Sequence, residues 1–193
     1  MGFTGSAATP RPMRADARRN HDRLLTAAKV AFADRGAEAS LDDIARQAGV
    51  GAGTLYRHFP TREALLEAVY REEVQILCDE ADRLNSTEPP DEALAAWLGA
   101  LLRYATAKRG LSGALKAMAG THSQVFAVCH KRISEHGGAL LERAQRAGAV
   151  RADISLGDLL RLASAISTAS EQVPDDPGMA NRLLGLMMDG WRA

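Results

Sequence analysis

The chain has 193 residues, and its 24 Lys plus Arg balance 24 Asp plus Glu, so the formal net charge is zero. Hydrophobic residues make up 46% and charged residues 25%, the balance of a globular protein, which excludes a disordered chain. Two cysteines, Cys78 and Cys129, are too few for a disulfide framework and fit a reducing compartment.

The longest uncharged apolar run, Ala93 to Leu102, is about half of the roughly 20 residues a spanning helix needs. Gly2 to Pro12 is small and polar and lacks the apolar core of a secretory signal. A soluble, cytoplasmic protein of one or two domains is expected, with no membrane partner.

No window alternates β-branched residues with period two, whereas three-to-four spacing recurs, so the fold reads as all-α with about nine helices. Residues 1–16 read as a flexible N-terminal arm. A first helix is expected from Arg18 to Arg35, with Leu24, Ala28, Ala31 and Phe32 on one face and Gly36 as its stop. Ser40 opens a second; with Asp43 three residues on it resembles a capping box, and the second helix stops at Gly49. A short third helix covers Ala52 to Phe59 and ends at Pro60.

Thr61 caps a long fourth helix from Arg62 to about Leu84, and Asn85 to Pro90 reads as a turn. A fifth is expected from Asp91 to Lys108, a short sixth from Leu111 to Ala119, and a seventh from Ser123 to Ala147. Gly148 to Asp153 breaks the seventh from an eighth, capped by Ser155 and running to Gln172; a ninth runs from Met179 to Trp191.

The neutral total conceals an uneven distribution. Residues 1–62 hold ten Lys and Arg against six acids, a balance of +4, so the remainder carries −4. A basic head on an acidic body is what a nucleic-acid-binding segment joined to a second domain would show.

Residues 40–59 carry the most specific signal. Two short helices pivot on Gly49, with Leu41, Ile44, Ala45 and Ala48 facing inward from the first and Val50, Leu55 and Phe59 from the second. Ala52, Gly53, Thr54, Tyr56, Arg57 and His58 are left on the outward face of the second. Hydroxyls, a cation and an imidazole without carboxylates suit phosphates and base edges, and the small residues at the start admit a deep seat in a major groove. An ordinary helical hairpin in an all-α core would show the same periodicity.

The segment resembles the tetracycline-repressor (TetR) family of bacterial transcriptional regulators. The likeness runs through Arg19-Asn20, Leu24 to Ala28, Phe32 to Gly36, Ser40 to Phe59 and Pro60 to Leu66, within residues 18–77. It implies a helix-turn-helix DNA-binding domain over residues 17–77, followed by a helical ligand-binding and dimerisation domain over 78–193. By that resemblance Ala52 to Phe59 is the recognition helix, Tyr56 and His58 fall where phosphates are contacted, and Thr54 where a hydroxyl meets backbone or base. Arg62, and by the same logic Ser40, fall at helix starts that hold further phosphates. Gly51-Ala52 departs from the family's common Ser or Thr followed by Arg or Lys, which removes a base-contacting cation and leaves the operator sequence open. Arg11, Arg14, Arg18 and Arg19 would lie near the backbone or minor groove, although a solvated tail fits Arg11 and Arg14 equally.

The C-terminal part is poorly shared within the family and is argued from the chain. The eighth and ninth helices present Leu159, Leu162, Ala163 and Ile166, then Leu183, Leu184, Met187 and Trp191, which suit a four-helix interface with a second copy; intramolecular core is the alternative. The ending Leu183 to Arg192 resembles that of an actinobacterial subgroup. Trp97, Leu101, Tyr104, Met118, His122, Phe126 and Cys129 are candidates to line a pocket for a hydrophobic or aromatic ligand, although plain core is the commoner place for each taken singly.

His122, Cys129 and His136 recur every seven residues, a rise of about 10.5 Å, too far apart for one zinc. No metal or cofactor is expected, and a redox role for Cys78 or Cys129 is disfavoured because single cysteines are mostly buried core. No Gly-rich phosphate loop, His-Glu-x-x-His, nucleophile elbow or Cys-x-x-Cys occurs, so nothing supplies catalysis. The expected function is a homodimeric repressor, bound to a palindromic double-stranded operator and released by a small-molecule effector. An all-α enzyme would instead turn over a metabolite, and a purely helical scaffold would keep all its binding after Tyr56→Phe with His58→Ala.

Overall fold

A computed structural model of the chain describes residues 11–110 and 123–191. All regular structure among them is helical: α1 (Arg11–Arg35), a single 3-10 turn at Gly36–Glu38, α2 (Leu41–Gln47), α3 (Ala52–His58), α4 (Arg62–Thr87), α5 (Pro90–Gly110), α6 (Ser123–Arg146), α7 (Leu156–Glu171) and α8 (Met179–Trp191). The short helix expected over Leu111 to Ala119, with Met118 and His122 near it, lies outside the described residues, as do residues 1–10. The chain divides into two compact units, residues 1–69 and 70–193, and the division falls within α4.

The first unit is built on α1. Leu24, Leu25, Ala28 and Phe32 are buried on it, and α2 packs on α1 and α3 on α2. The helix starts at Arg11, seven residues before the expected start at Arg18. Pro12 sits in the first turn, where its missing N–H has no intrahelical partner to lose. The extension carries no apolar signal because Ala15 to Arg19 are all exposed. The side chains of Arg11 and Arg14 lie outside the description.

The second unit centres on α5, which packs against α6, α7 and α8. Leu94, Trp97 and Leu98 are completely buried on it. Gly137 of α6 makes the closest approach: a Cβ there would overlap the six-membered ring of Trp97. The Trp97 indole donates to the Leu77 carbonyl of α4 at 3.2 Å, so the largest buried side chain leaves no unpaired donor.

Helix α4 extends past the expected end at Leu84 to Thr87. The Ser86 and Thr87 hydroxyls donate back to the Asp82 and Arg83 carbonyls, and Arg143 of α6 donates to the carbonyls of Asn85 (2.8 Å) and Glu88 (2.6 Å). The Arg143 bond to Asn85 supplies a donor that the last turn of a helix lacks. Ser155 heads α7 with a complete capping box: its hydroxyl accepts from the Asp158 amide and the Asp158 carboxylate accepts from the Ser155 amide.

Candidate nucleic-acid interface

The geometry begins with the turn at Gly49. Its φ is +65°, the left-handed region that a side chain resists. The Val50 amide donates to the Ala45 carbonyl at 3.0 Å and the Gly49 amide to the Arg46 carbonyl at 3.1 Å, the paired closure that ends a helix and re-aims the chain. Ala45 and Ala48 are small and buried, so α3 can cross α2 closely, while Ile44, Leu55 and Phe59 fill the space beneath. Seven-residue helices such as α2 and α3 do not persist alone in water; this buried seam holds them.

At the start of α2 the Ser40 hydroxyl accepts from the Asp43 amide at 3.3 Å. The reciprocal half of the expected box is absent because the Asp43 carboxylate is taken by Arg46 (2.6 Å) and Arg35 (3.2 Å). The outward face of α3 is as the sequence predicts: Ala52, Gly53, Tyr56 and Arg57 are exposed, Tyr56 to 47%, and Thr54 and His58 are half-buried. Arg57 folds along its own helix, donating to the Gly53 carbonyl at 3.1 Å and reaching Thr54 Oγ at 3.5 Å. A guanidinium has five donors, so this anchors the side chain without exhausting it.

Thr61 caps α4, accepting from the Ala64 amide at 3.1 Å. Arg62 is half-buried and donates to the Ala39 carbonyl, which ties the start of α4 to the residue before the Ser40 cap of α2. Arg18 and Arg19 are exposed on α1, and Arg19 pairs with Asp16. His21, absent from the candidates that the sequence suggests, stands 5.9 Å from His58 between ring centroids and 5.2 Å from Phe59. Its position three residues before buried Leu24, one turn along the inward stripe of α1, is the signal that points to it.

Two models of known families match the chain. One, for bacterial regulatory proteins of the tetR family, covers residues 24–69; the other, for the C-terminal domain of SbtR-like transcriptional regulators, covers 89–193. The chain belongs to the TetR family. The TetR regulator SCO0520 from Streptomyces coelicolor is 44% identical, with a TM-score of 0.80 over 89% of this chain and 98% of that one. The transcriptional regulator UidR of Escherichia coli K12 is 28% identical over 78% of this chain and 79% of its own length. LfrR from Mycobacterium smegmatis, solved in complex with proflavine, shares the fold at 23% identity, with a TM-score of 0.66 over 92% of this chain and 99% of that one.

The C-terminal unit of this TetR-family regulator sorts the ligand candidates into two groups. Tyr104, Phe126 and Cys129 converge on Tyr70: the Tyr104 hydroxyl donates to the Tyr70 hydroxyl at 3.2 Å, and the Phe126 ring meets Tyr70 edge-on at 5.2 Å. Burial, then the facing Tyr70, pushes the Tyr104 phenol far above its ordinary range, so it stays a neutral donor, and burial also raises Tyr70. Cys129 is buried and acts electrostatically on both phenols. Trp97 is instead fixed between Leu77 and Gly137, and Leu101 is core. Tyr70 is a further member that the sequence candidates lack, although it continues the stripe of Leu65, Leu66, Val69 and Val74.

The dimer candidates also divide. Leu159, Ala163, Ile166, Leu184 and Trp191 are buried within the single chain, where α7 and α8 close on each other and on α5. That is a correction to their expected place on an outer face. Leu162 is 47% exposed, Leu183 and Met187 are half-buried, and Leu186 on the same helix as these two is 68% exposed. Beside Leu162, a shallow open depression is lined by Arg161, Ser164, Ala165, Thr168, Ala169 and Gln172. His136 pairs with Asp82 at 2.7 Å.

Proposed function

We propose that the chain is a cytoplasmic, homodimeric, non-enzymatic repressor that a small hydrophobic or aromatic ligand releases from a palindromic operator. The observation that carries the reading is the outward face of α3, with Tyr56, Arg57, Thr54 and His58 presented on a helix held by a glycine turn. Ala52 and Gly53 give that helix a small leading end, suited to entering a major groove. Ser40, Arg62, Arg18 and Arg19 serve as flanking phosphate contacts. The exposed Leu162 and Leu186, with Leu183 and Met187, supply apolar surface for a second copy.

The ligand site is assigned to the Tyr70, Tyr104, Phe126 and Cys129 cluster, whose apolar rings and neutral phenols suit an aromatic molecule bearing a hydrogen-bonding group. Ligand binding then shifts the population of dimers away from the spacing that matches two half-sites.

The test is selection of fragments from sheared genomic DNA by the full chain, followed by anisotropy titrations of the selected duplex at rising salt. A repressor of this kind binds a short dyad-symmetric sequence, and its affinity falls steeply with salt as counterions return to the phosphates. A ligand panel then releases the duplex, and a promoter fusion rises when the chain is deleted. Salt-insensitive binding, or no enriched sequence, contradicts the reading.

A further inference from the structure

His21 and His58 come from different helices, α1 and α3, and converge at one edge of the outward face of α3. Their ring centroids are 5.9 Å apart at an interplanar angle of 66°, and the Phe59 ring lies beside both, 5.2 Å from His21 and 6.1 Å from His58. Neither imidazole is sealed in: the His21 side chain is 40% exposed and His58 is half-buried. Two charged imidazoles repel each other unless an anion sits between them.

The charged groups around the pair favour an outside anion. On α1, Asp22 Oδ1 is 3.4 Å from His21 Nδ1, which leaves Nε2 as the nitrogen to meet an incoming group. Arg18 precedes by three residues, and Arg23 is bonded to Asn20 at 2.5 Å. On α3, Arg57 is folded onto Gly53 and Thr54; at the start of α4, Arg62 is held by Ala39. Asp22 is the carboxylate that meets the pair, Arg18 and Arg57 flank it along the chain, Arg62 and Glu63 stand together at the start of α4, and Tyr56 is two residues from His58 with its ring exposed.

Resting on the DNA-binding reading above, we infer that His21 joins His58 in a single site for a DNA backbone phosphate, and that occupying this site takes up protons. A phosphodiester stays anionic across the range in which an imidazole changes charge, around pH 6.5. It therefore favours the imidazolium forms, and binding strengthens as pH falls. The sign follows from linkage: protons gained on binding make affinity fall as pH rises, by up to about tenfold per pH unit for each proton taken up.

The experiment uses the full chain and a labelled duplex cut from a selected fragment, titrated by anisotropy at constant ionic strength between about pH 5.5 and 8. The wild type loses affinity with rising pH. His21→Gln and His58→Gln each flatten the slope by about half, and the double variant is flat. His21→Arg keeps binding at the upper end of the range and shows about half the wild-type slope, since His58 still takes up its proton; a packing role against Phe59 could not restore that binding. Circular dichroism confirms that each variant is folded. In a second measurement, NMR titration of the imidazole C–H signals in the wild type, duplex keeps both rings charged to higher pH. Inorganic phosphate at the same ionic strength does not.

A wild-type slope unchanged by His21→Gln overturns the inference alone. So does an equal NMR shift with inorganic phosphate, which would make the pair a free-phosphate site. No binding at any pH removes the DNA-binding reading, and the inference falls with it.

Discussion

In the first unit, α2 and α3 are seven residues each, and nearly every position has its own part to play. Ser40 caps, Ala45 and Ala48 permit close crossing, Gly49 turns, Leu55 fills, and Tyr56 and Arg57 face outward. In the second unit, α5 and α6 are 21 and 24 residues long and bury residues such as Leu94, Leu98 and Leu140, which many apolar side chains could replace. Short helices leave no redundancy, so their chemistry is written residue by residue. Long helices secure themselves by area, and particular side chains matter there only where geometry is tight, as at Trp97 and Gly137.

That contrast can be broken most forcefully at Trp97. Trp97→Ala should lower stability by about 3–5 kcal/mol in chemical unfolding, as other large buried truncations do, whereas Leu98→Met should cost under about 1.5 kcal/mol. Equal losses would mean that the second unit is as position-specific as the first. Arg57→Ala should act in the opposite manner, weakening duplex binding by about tenfold to a hundredfold while leaving the melting temperature unchanged, because the side chain is exposed.

The smallest effect separates the two capped helices. Ser155→Ala removes one half of a complete box and should cost about 1 kcal/mol; Ser40→Ala should cost less, because Asp43 never closes its half. Differential scanning calorimetry on the two variants would rank them.

The outward surface of α3 is legible in the sequence because the turn glycine, the caps and the polar face each leave a fixed mark at a fixed offset. Helix ends are less so: α4 runs on to Thr87 through hydroxyl back-bonds and through Arg143, which is 56 residues beyond it, a tertiary clip that no local pattern announces. The outer face of α7 and α8 is misjudged at Leu159 and Trp191 because apolar periodicity records which residues avoid water, not whether their own chain or another covers them. His21 and Tyr70 escape for a related reason. Each lies on an otherwise apolar stripe, and its partner, His58 or Tyr104, is far away in sequence.

The central claim, that two copies of α3 read a symmetric site, meets its most direct test in hydroxyl-radical footprinting of the full chain on a selected duplex. The account predicts two protected patches related by a dyad and centred about one helical turn, or a small multiple of it, apart. Replacing Tyr56 and Arg57 together by Ala should erase both patches. A single patch, or protection that survives those substitutions, would contradict it.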